Sequence, residues 1–203
     1  MLYEIVTLKG SVFAGKGVMQ GAKSWLESTS AGTVLGMWLT EIGPIGQLLV
    51  LRQFEQHEDL QRERHRALLS EDPFGSASAG VSLTMESFAP FPFLPAPQSR
   101  DYGGVFELRT YQLTAGGLPG TLDGWKAAIG PAHAYTDHLV IAMYALDGAP
   151  RIVHLWGFAS VEERNRLRRE HYAAGVWPPK GGPERIAHAT STIALSEPGF
   201  PIG

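Results

Sequence analysis

The 203-residue chain contains no cysteine. That excludes a disulfide framework, thiol nucleophiles, Cys-ligated zinc and iron–sulfur clusters. A basic excess is missing as well: 17 Lys and Arg stand against 20 Asp and Glu, a formal charge of −3. No field exists to hold a phosphate backbone, so nucleic acid is not an expected partner. Long apolar runs are scarce. LVIAMYAL (139–146) falls far short of the roughly 20 residues a membrane helix requires, and no membrane association is expected. The opening MLYEIVTLKG has no basic or Arg/Ser-rich leader and alternates apolar with polar residues. It reads as a strand, and a cytoplasmic location is expected. No Gly-Lys-Ser/Thr follows the glycines of GGLPG (116–120), and no G-x-S-x-G occurs, which argues against a P-loop and a hydrolase elbow. His133 and His138 are five apart, a poor fit to one helix face, so no metal site and no cofactor are assigned.

What the chain does have is a globular composition, 44% hydrophobic and 18% charged, and an internal repeat. YEIVTL (3–8) and FELRTY (106–111) each pair an aromatic with Glu and then alternate. Trp25 and Trp125 follow at a similar distance. LLVLRQFEQHEDLQRERHRALL (48–69) and RIVHLWGFASVEERNRLRREHYAAG (151–175) are each an apolar strand leading into an Arg-rich helix. The Pro/Gly-rich stretch PAPQSRDYGG reads as a linker. The expected organisation is a first unit at 1–94, a linker at 95–104 and a second unit at 105–203.

Element order is clearest in the second unit. FELRTYQL (106–113) is a period-two strand. A helix is expected around 118–130 and a strand at 138–145. The turn DGAP (147–150) closes a hairpin onto RIVHLWGF, because Asp-Gly permits positive φ. Ser160 with Glu163 forms a capping box, and RIAHATSTIAL (185–195) closes the unit as a strand. This βαββαβ order is the ferredoxin-like arrangement, with strand order 4-1-3-2.

FELRTYQLTAGG, the His-x-Trp strand with its Arg-rich helix and following tryptophan, and the closing SEPGFP (196–201) together resemble the NIPSNAP family. The likeness is strongest over 106–201. The first unit lacks His-x-Trp and is similar in outline only. The resemblance implies a dimeric-type α/β barrel: an α+β fold in which two tandem ferredoxin-like units pack sheet to sheet around a lumen. It implies no settled activity. Relatives in that superfamily include monooxygenases and haem enzymes, and fold alone does not assign function.

Strand periodicity defines the candidate site. The apolar row Phe106, Leu108 and Thr110 is expected beneath the helices, with Val153 and Leu155. Glu107, Arg109, Tyr111, Ile152, His154, Trp156 and Phe158 would then share the concave face and line the lumen. His154 is the candidate acid or base, Arg109 the group that holds an anionic oxygen, and Tyr111 a further donor. Glu107, Trp156 and Phe158 would contact a ligand. In the first unit Val6, Leu8, Val50 and Arg52 replace Arg109, Tyr111, His154 and Trp156. One site per chain is therefore expected, with Trp38 and Arg52 as contributions from the opposite wall. The bland alternative is a Glu107–Arg109 ion pair within packed aromatics.

The expected function is binding of a small apolar or aromatic molecule in the lumen, with cofactor-independent catalysis as an extension. The alternatives are a scaffold with a filled barrel and, more weakly, a haem or metal enzyme using His154. The Arg-rich helix with Arg164, Arg166, Arg168 and Arg169 reads as a solvated face. Trp177 is expected to pack the helix end against the sheet. Sheet edges point to a homo-oligomer.

Overall fold

A computed structural model describes residues 1–10, 15–29 and 31–202. Eight strands run in chain order: β1 Leu2–Lys9, β2 Thr33–Ile42, β3 Gln47–Phe54, β4 Ser82–Pro90, β5 Val105–Leu113, β6 Leu139–Ala145, β7 Arg151–Phe158 and β8 Ile186–Ser196. The helices are α1 Gly15–Glu27, α2 His57–Leu68, α3 Gly117–Ile129, α4 His133–Thr136 and α5 Val161–Ala173. Each half has the order 4-1-3-2: β4-β1-β3-β2 and β8-β5-β7-β6. The two antiparallel sheets join through β2–β8 and β4–β6 into one closed barrel.

Local chemistry explains the elements around the site. Asp147 and Gly148 make the β6–β7 turn, where Gly148 takes φ 65° at no steric cost. The Ser160 side chain accepts the Glu163 N–H at 3.1 Å and starts α5, while the Glu163 carboxylate accepts the Ala159 N–H at 2.7 Å. The Asp147 carboxylate accepts the Ser87 N–H at 2.8 Å, and Arg151 reaches Glu86 at 2.8 Å, so the turn of one half is fastened to β4 of the other. The C-terminal tail returns to the first half, where the Ile202 N–H donates to the Leu35 carbonyl at 2.9 Å.

Three apolar layers result. Tyr3, Ile5, Trp38, Leu49, Leu51 and Phe88 of the first half meet Phe106, Ile141, Met143, Val153 and Leu155 of the second in the lumen. Two further layers lie between the sheets and their helices. The lumen is filled. Trp38 packs on Phe106 at 5.3 Å between ring centroids. The void left among Trp38, Leu108 and Leu155 is about 10 Å³, at the lower limit for a single water.

This corrects the expected faces. The apolar row Phe106 and Leu108, with Val153 and Leu155, points into the lumen. Ile152, Trp156 and Phe158 lie beneath the helices, as do Glu107, Arg109, Tyr111 and His154, which alternate with the lumen row. The barrel interior is enclosed by strands and meets no charged helix, so it takes a largely apolar set, with the Trp38 indole N–H buried there without a partner among the described residues. Among the described residues this packing leaves a void of about 10 Å³ in the lumen, against the roomy pocket expected there.

Candidate functional site

The register of β5 and β7 brings the polar set together. Arg109 pairs directly with His154, Glu107 with Trp156 and Tyr111 with Ile152. On this face the sheet does not close against its helices. A cavity of about 440 Å³ lies between β5, β7 and β8, helix α3 and the segment following α5. Arg109, Tyr111 and His154 form its floor, Trp125 and Trp177 its aromatic walls, and Pro178 and Pro179 part of its rim. The lining holds no Asp or Glu.

Beneath the floor lies a buried ionic knot. The Glu107 carboxylate, fully buried, accepts from Arg109 Nη2 at 2.5 Å, from Arg164 Nε at 3.0 Å and Nη2 at 2.5 Å, and from Ser191 Oγ at 2.5 Å. Burial pushes this carboxyl upward, but the hydrogen bonds from Arg164 and Arg109 outweigh it and hold the group well below the usual carboxylate range. Burial alone would lower the Arg109 pKa. Its bond to Glu107 reverses this and raises it, so the guanidinium stays charged. Arg109 Nη2 also donates to Tyr135 Oη at 2.8 Å, and its guanidinium lies 5.2 Å from the Trp156 ring.

His154 is held in one tautomer. The Trp156 indole N–H, which can only donate, reaches His154 Nδ1 at 2.6 Å. The proton of the neutral imidazole is therefore on Nε2. Burial first, then the Arg109 cation, depresses the His154 pKa well below 6.5 against the opposing pull of Glu107, so the ring is neutral at pH 7. The edges of Tyr111 and Trp125 pack against it at 4.8 and 4.9 Å. His154 Nε2 and Arg109 Nε are buried and have no hydrogen-bond partner among the described residues. Two residues of the floor thus each hold one buried, unsatisfied N–H donor, a costly arrangement in an apolar setting.

Of the residues singled out from sequence, His154, Arg109 and Tyr111 line the cavity. Glu107 and Trp156 sit behind them and orient them. Phe158 is displaced: it stacks on His138 at 5.0 Å, away from the lining. Trp38 belongs to the lumen. Arg52 lies beneath the helices of the first half, bonded to Glu4 and Glu63. Neither one faces this cavity, because the site is outside the barrel and has no opposite wall from the first half. Sequence reasoning missed Arg164, whose guanidinium leaves the supposed solvated face of α5 to reach Glu107. It also missed Tyr135 on α4 and the walls Trp125 and Trp177. Only the repeated tryptophan near the end of the first helix in each half signalled a wall.

The corresponding layer of the first half is closed. Val6 pairs with Val50 where Arg109 pairs with His154. Val6, Leu8, Val50 and Phe74 pack there at 0–1% exposure. Phe74 adopts φ 56° to do so, and Arg52 stacks between Phe54 and Phe74 at 5.1 and 5.3 Å. Arg52 uses Nε, Nη1 and Nη2 on two carboxylates.

Two ferredoxin-like units closed into one barrel, with a hollow between sheet and helices, define a protein of the dimeric-type α/β-barrel class. The fold is shared with a monooxygenase-like protein from Lactobacillus acidophilus, TM-score 0.66 at 10% identity over 96% of this chain and 93% of that one. It is shared too with an anthrone oxidase-like protein, TM-score 0.64 at 11% identity over 97% and 91%. These likenesses establish architecture alone. The NIPSNAP family model matches residues 14–88 and 106–195, one segment in each half. "Protein NipSnap homolog" of Dictyostelium discoideum is 29% identical over 169 residues, spanning 80% of this chain and 71% of that protein. The chain belongs to the NIPSNAP family.

Proposed function

We propose that this NIPSNAP protein binds one small, flat, largely apolar molecule in the cavity beneath α3 and the segment after α5. The observation that carries the reading is the contrast between the two halves: about 440 Å³ stays open over His154, while Phe74 and three aliphatic side chains close the equivalent layer in the first half. Ligand sites run from about 300 to 1,000 Å³, with apolar walls and a few convergent polar groups. Trp125 and Trp177 supply flat walls. His154, neutral with its proton on Nε2, serves as a fixed donor, which replaces the acid or base role expected from sequence. Arg109 and Tyr111 complete the polar floor. The lining can stabilise charge on an oxygen without a cofactor, but it offers no carboxylate or thiol as base or nucleophile. A homo-oligomer remains our reading from β8, since β2 pairs only with Ile193–Ser196 of that strand.

The filled barrel favours one competing reading, a scaffold that binds nothing. Tryptophan fluorescence separates the two. Naphthalene titrated into the wild type is expected to quench emission saturably through Trp125 and Trp177. Ala189→Phe should abolish that quenching with little change in melting temperature, because Ala189 lines the cavity on the exposed part of β8. Quenching that survives Ala189→Phe, or none in the wild type with either naphthalene or 2-naphthoate, would refute the cavity reading.

A further inference from the structure

From the donors on the cavity floor, we infer that the ligand is a flat conjugated molecule carrying an anionic oxygen, seated against Arg109 Nε–H and His154 Nε2–H. This rests on the cavity being a binding site and adds the chemical class of what enters it. Three observations carry it. First, both unpartnered donors belong to residues at 1–2% exposure that line the same cavity. They sit on directly paired positions of adjacent strands, where Cβ atoms are about 4.5–5.5 Å apart. Donors on such paired positions can be met together by one oxygen or by the two oxygens of a carboxylate.

Second, the charges beneath the floor do not balance. Glu107 is a single carboxylate shared by two guanidinium groups, Arg109 and Arg164. One positive charge is left over, and no carboxylate in the lining answers it. Two guanidinium groups sharing one buried carboxylate are only partly compensated, and an anion supplied from outside would complete the balance. A neutral carbonyl would satisfy the hydrogen bonds and leave the charge. A cation is opposed by the same excess and by the absence of any side-chain acceptor at the two nitrogens, both of which carry protons.

Third, the first half differs in its packing. There Arg52 gives Nε, Nη1 and Nη2 to Glu4 and Glu63. Arg64 and Arg66 share the same two carboxylates, with Arg64 Nη2 left unpartnered among the described residues, and Phe74 packs the layer with Val6, Leu8 and Val50. In the second half the unpartnered nitrogens belong to residues that line an open cavity. The walls set the rest of the class. Trp125 and Trp177 stand at 88° to one another, with Tyr111 edge-on to His154, which suits a thin conjugated frame.

The test compares 2-naphthoate and a nitrophenol in its phenolate form with naphthalene, using the wild-type protein and isothermal titration calorimetry. Charge-assisted hydrogen bonds predict that the anions bind about ten- to a hundredfold more tightly than the hydrocarbon. Tight binding of naphthoate alone assigns a carboxylate ligand, and tight binding of the phenolate alone assigns an enolate or phenolate; either supports the inference. His154→Leu should erase most of the preference, and His154→Gln should restore part of it, because Gln can accept from Trp156 and still donate into the cavity. Equal affinity for naphthalene and both anions would overturn the oxyanion assignment and leave the cavity reading standing. Failure of all three to bind would overturn both.

Discussion

Replacing Glu107 by Gln tests the knot on which the site is built. The wild-type carboxylate accepts four hydrogen bonds from three residues, between 2.5 and 3.0 Å. Gln keeps one oxygen and turns an NH2 group toward donors. Arg109, at 2% exposure, then remains charged in the interior without a counter-ion. Breaking one side of a buried pair costs about 3–5 kcal/mol. In a chain of this length that is a fall of roughly 6–20 °C in melting temperature, at about 2–4 °C per kcal/mol. The effect depends on pH in a defined sense. The folded protein holds Glu107 below its ordinary range, so the stability it contributes is complete above the unfolded Glu value of about 4.3 and is lost as the pH falls below it. The deficit of Glu107→Gln, read from urea unfolding, should therefore be largest at neutral pH and shrink under acid conditions. The acid limb should not vanish, because Glu63 and Asp147 are also held low. A deficit under about 1 kcal/mol at neutral pH, or one of equal size in acid, would refute the charged knot.

Two further substitutions probe the frame around it. Gly157→Ala would place a Cβ 2.4 Å from Tyr102 Cβ and 3.2 Å from its carbonyl oxygen. An overpacking cost of about 1–3 kcal/mol is expected, visible as a lower midpoint in urea; an unchanged midpoint would show that the Tyr102 segment moves freely. Residues 1–94 expressed alone should not fold as a monomer. Tyr3, Ile5, Trp38, Leu49, Leu51 and Phe88 bury their side chains against the second half. At about 1.5–3 kcal/mol each, their exposure would cost roughly 9–18 kcal/mol, as much as a whole domain's stability. Circular dichroism and sedimentation would report it. A soluble folded monomer would contradict the shared core, whereas a folded homodimer would satisfy it.

The fold was readable because it is written in periodicity and punctuation, both local. Asp147-Gly148, the Ser160–Glu163 cap and the period-two strands each act within a few residues of chain. The βαββαβ order followed from them and the strand order from the crossover rule. That Arg109 and His154 share one face followed in turn, since β5 and β7 had to be neighbours; the register that pairs them directly did not. Arg164 was not readable. Its surroundings in sequence, ERNRLRRE, match a solvated helix, and its contact with Glu107 is made across 57 positions of chain. Trp177 was placed against the sheet as expected, where it meets Trp125 at 5.0 Å. Its second role, as a wall, depends on empty space, which leaves no mark in a sequence.

The inversion of the two faces has a more general cause. In an open sheet one face meets helices and the other meets water, so the apolar row identifies the helix side. A closed barrel removes the water: both faces are buried, and the polar row must go wherever polar partners can reach it. Strands alone surround the lumen, and neighbouring strands place only short reach across it, already filled by Trp38 and Phe106. The helix side brings long charged side chains, and Arg164 and Arg52 show both halves using that layer for their buried ions. A buried polar row in a barrel strand therefore marks the helix layer, and pockets with chemistry belong there when the lumen is solid. Duplication then allows the two copies to diverge. The first half packs Phe74 into the gap above its Arg52, Arg64 and Arg66 knot, while the second leaves about 440 Å³ open beside Arg109 and His154, each with one buried nitrogen that has no partner among the described residues.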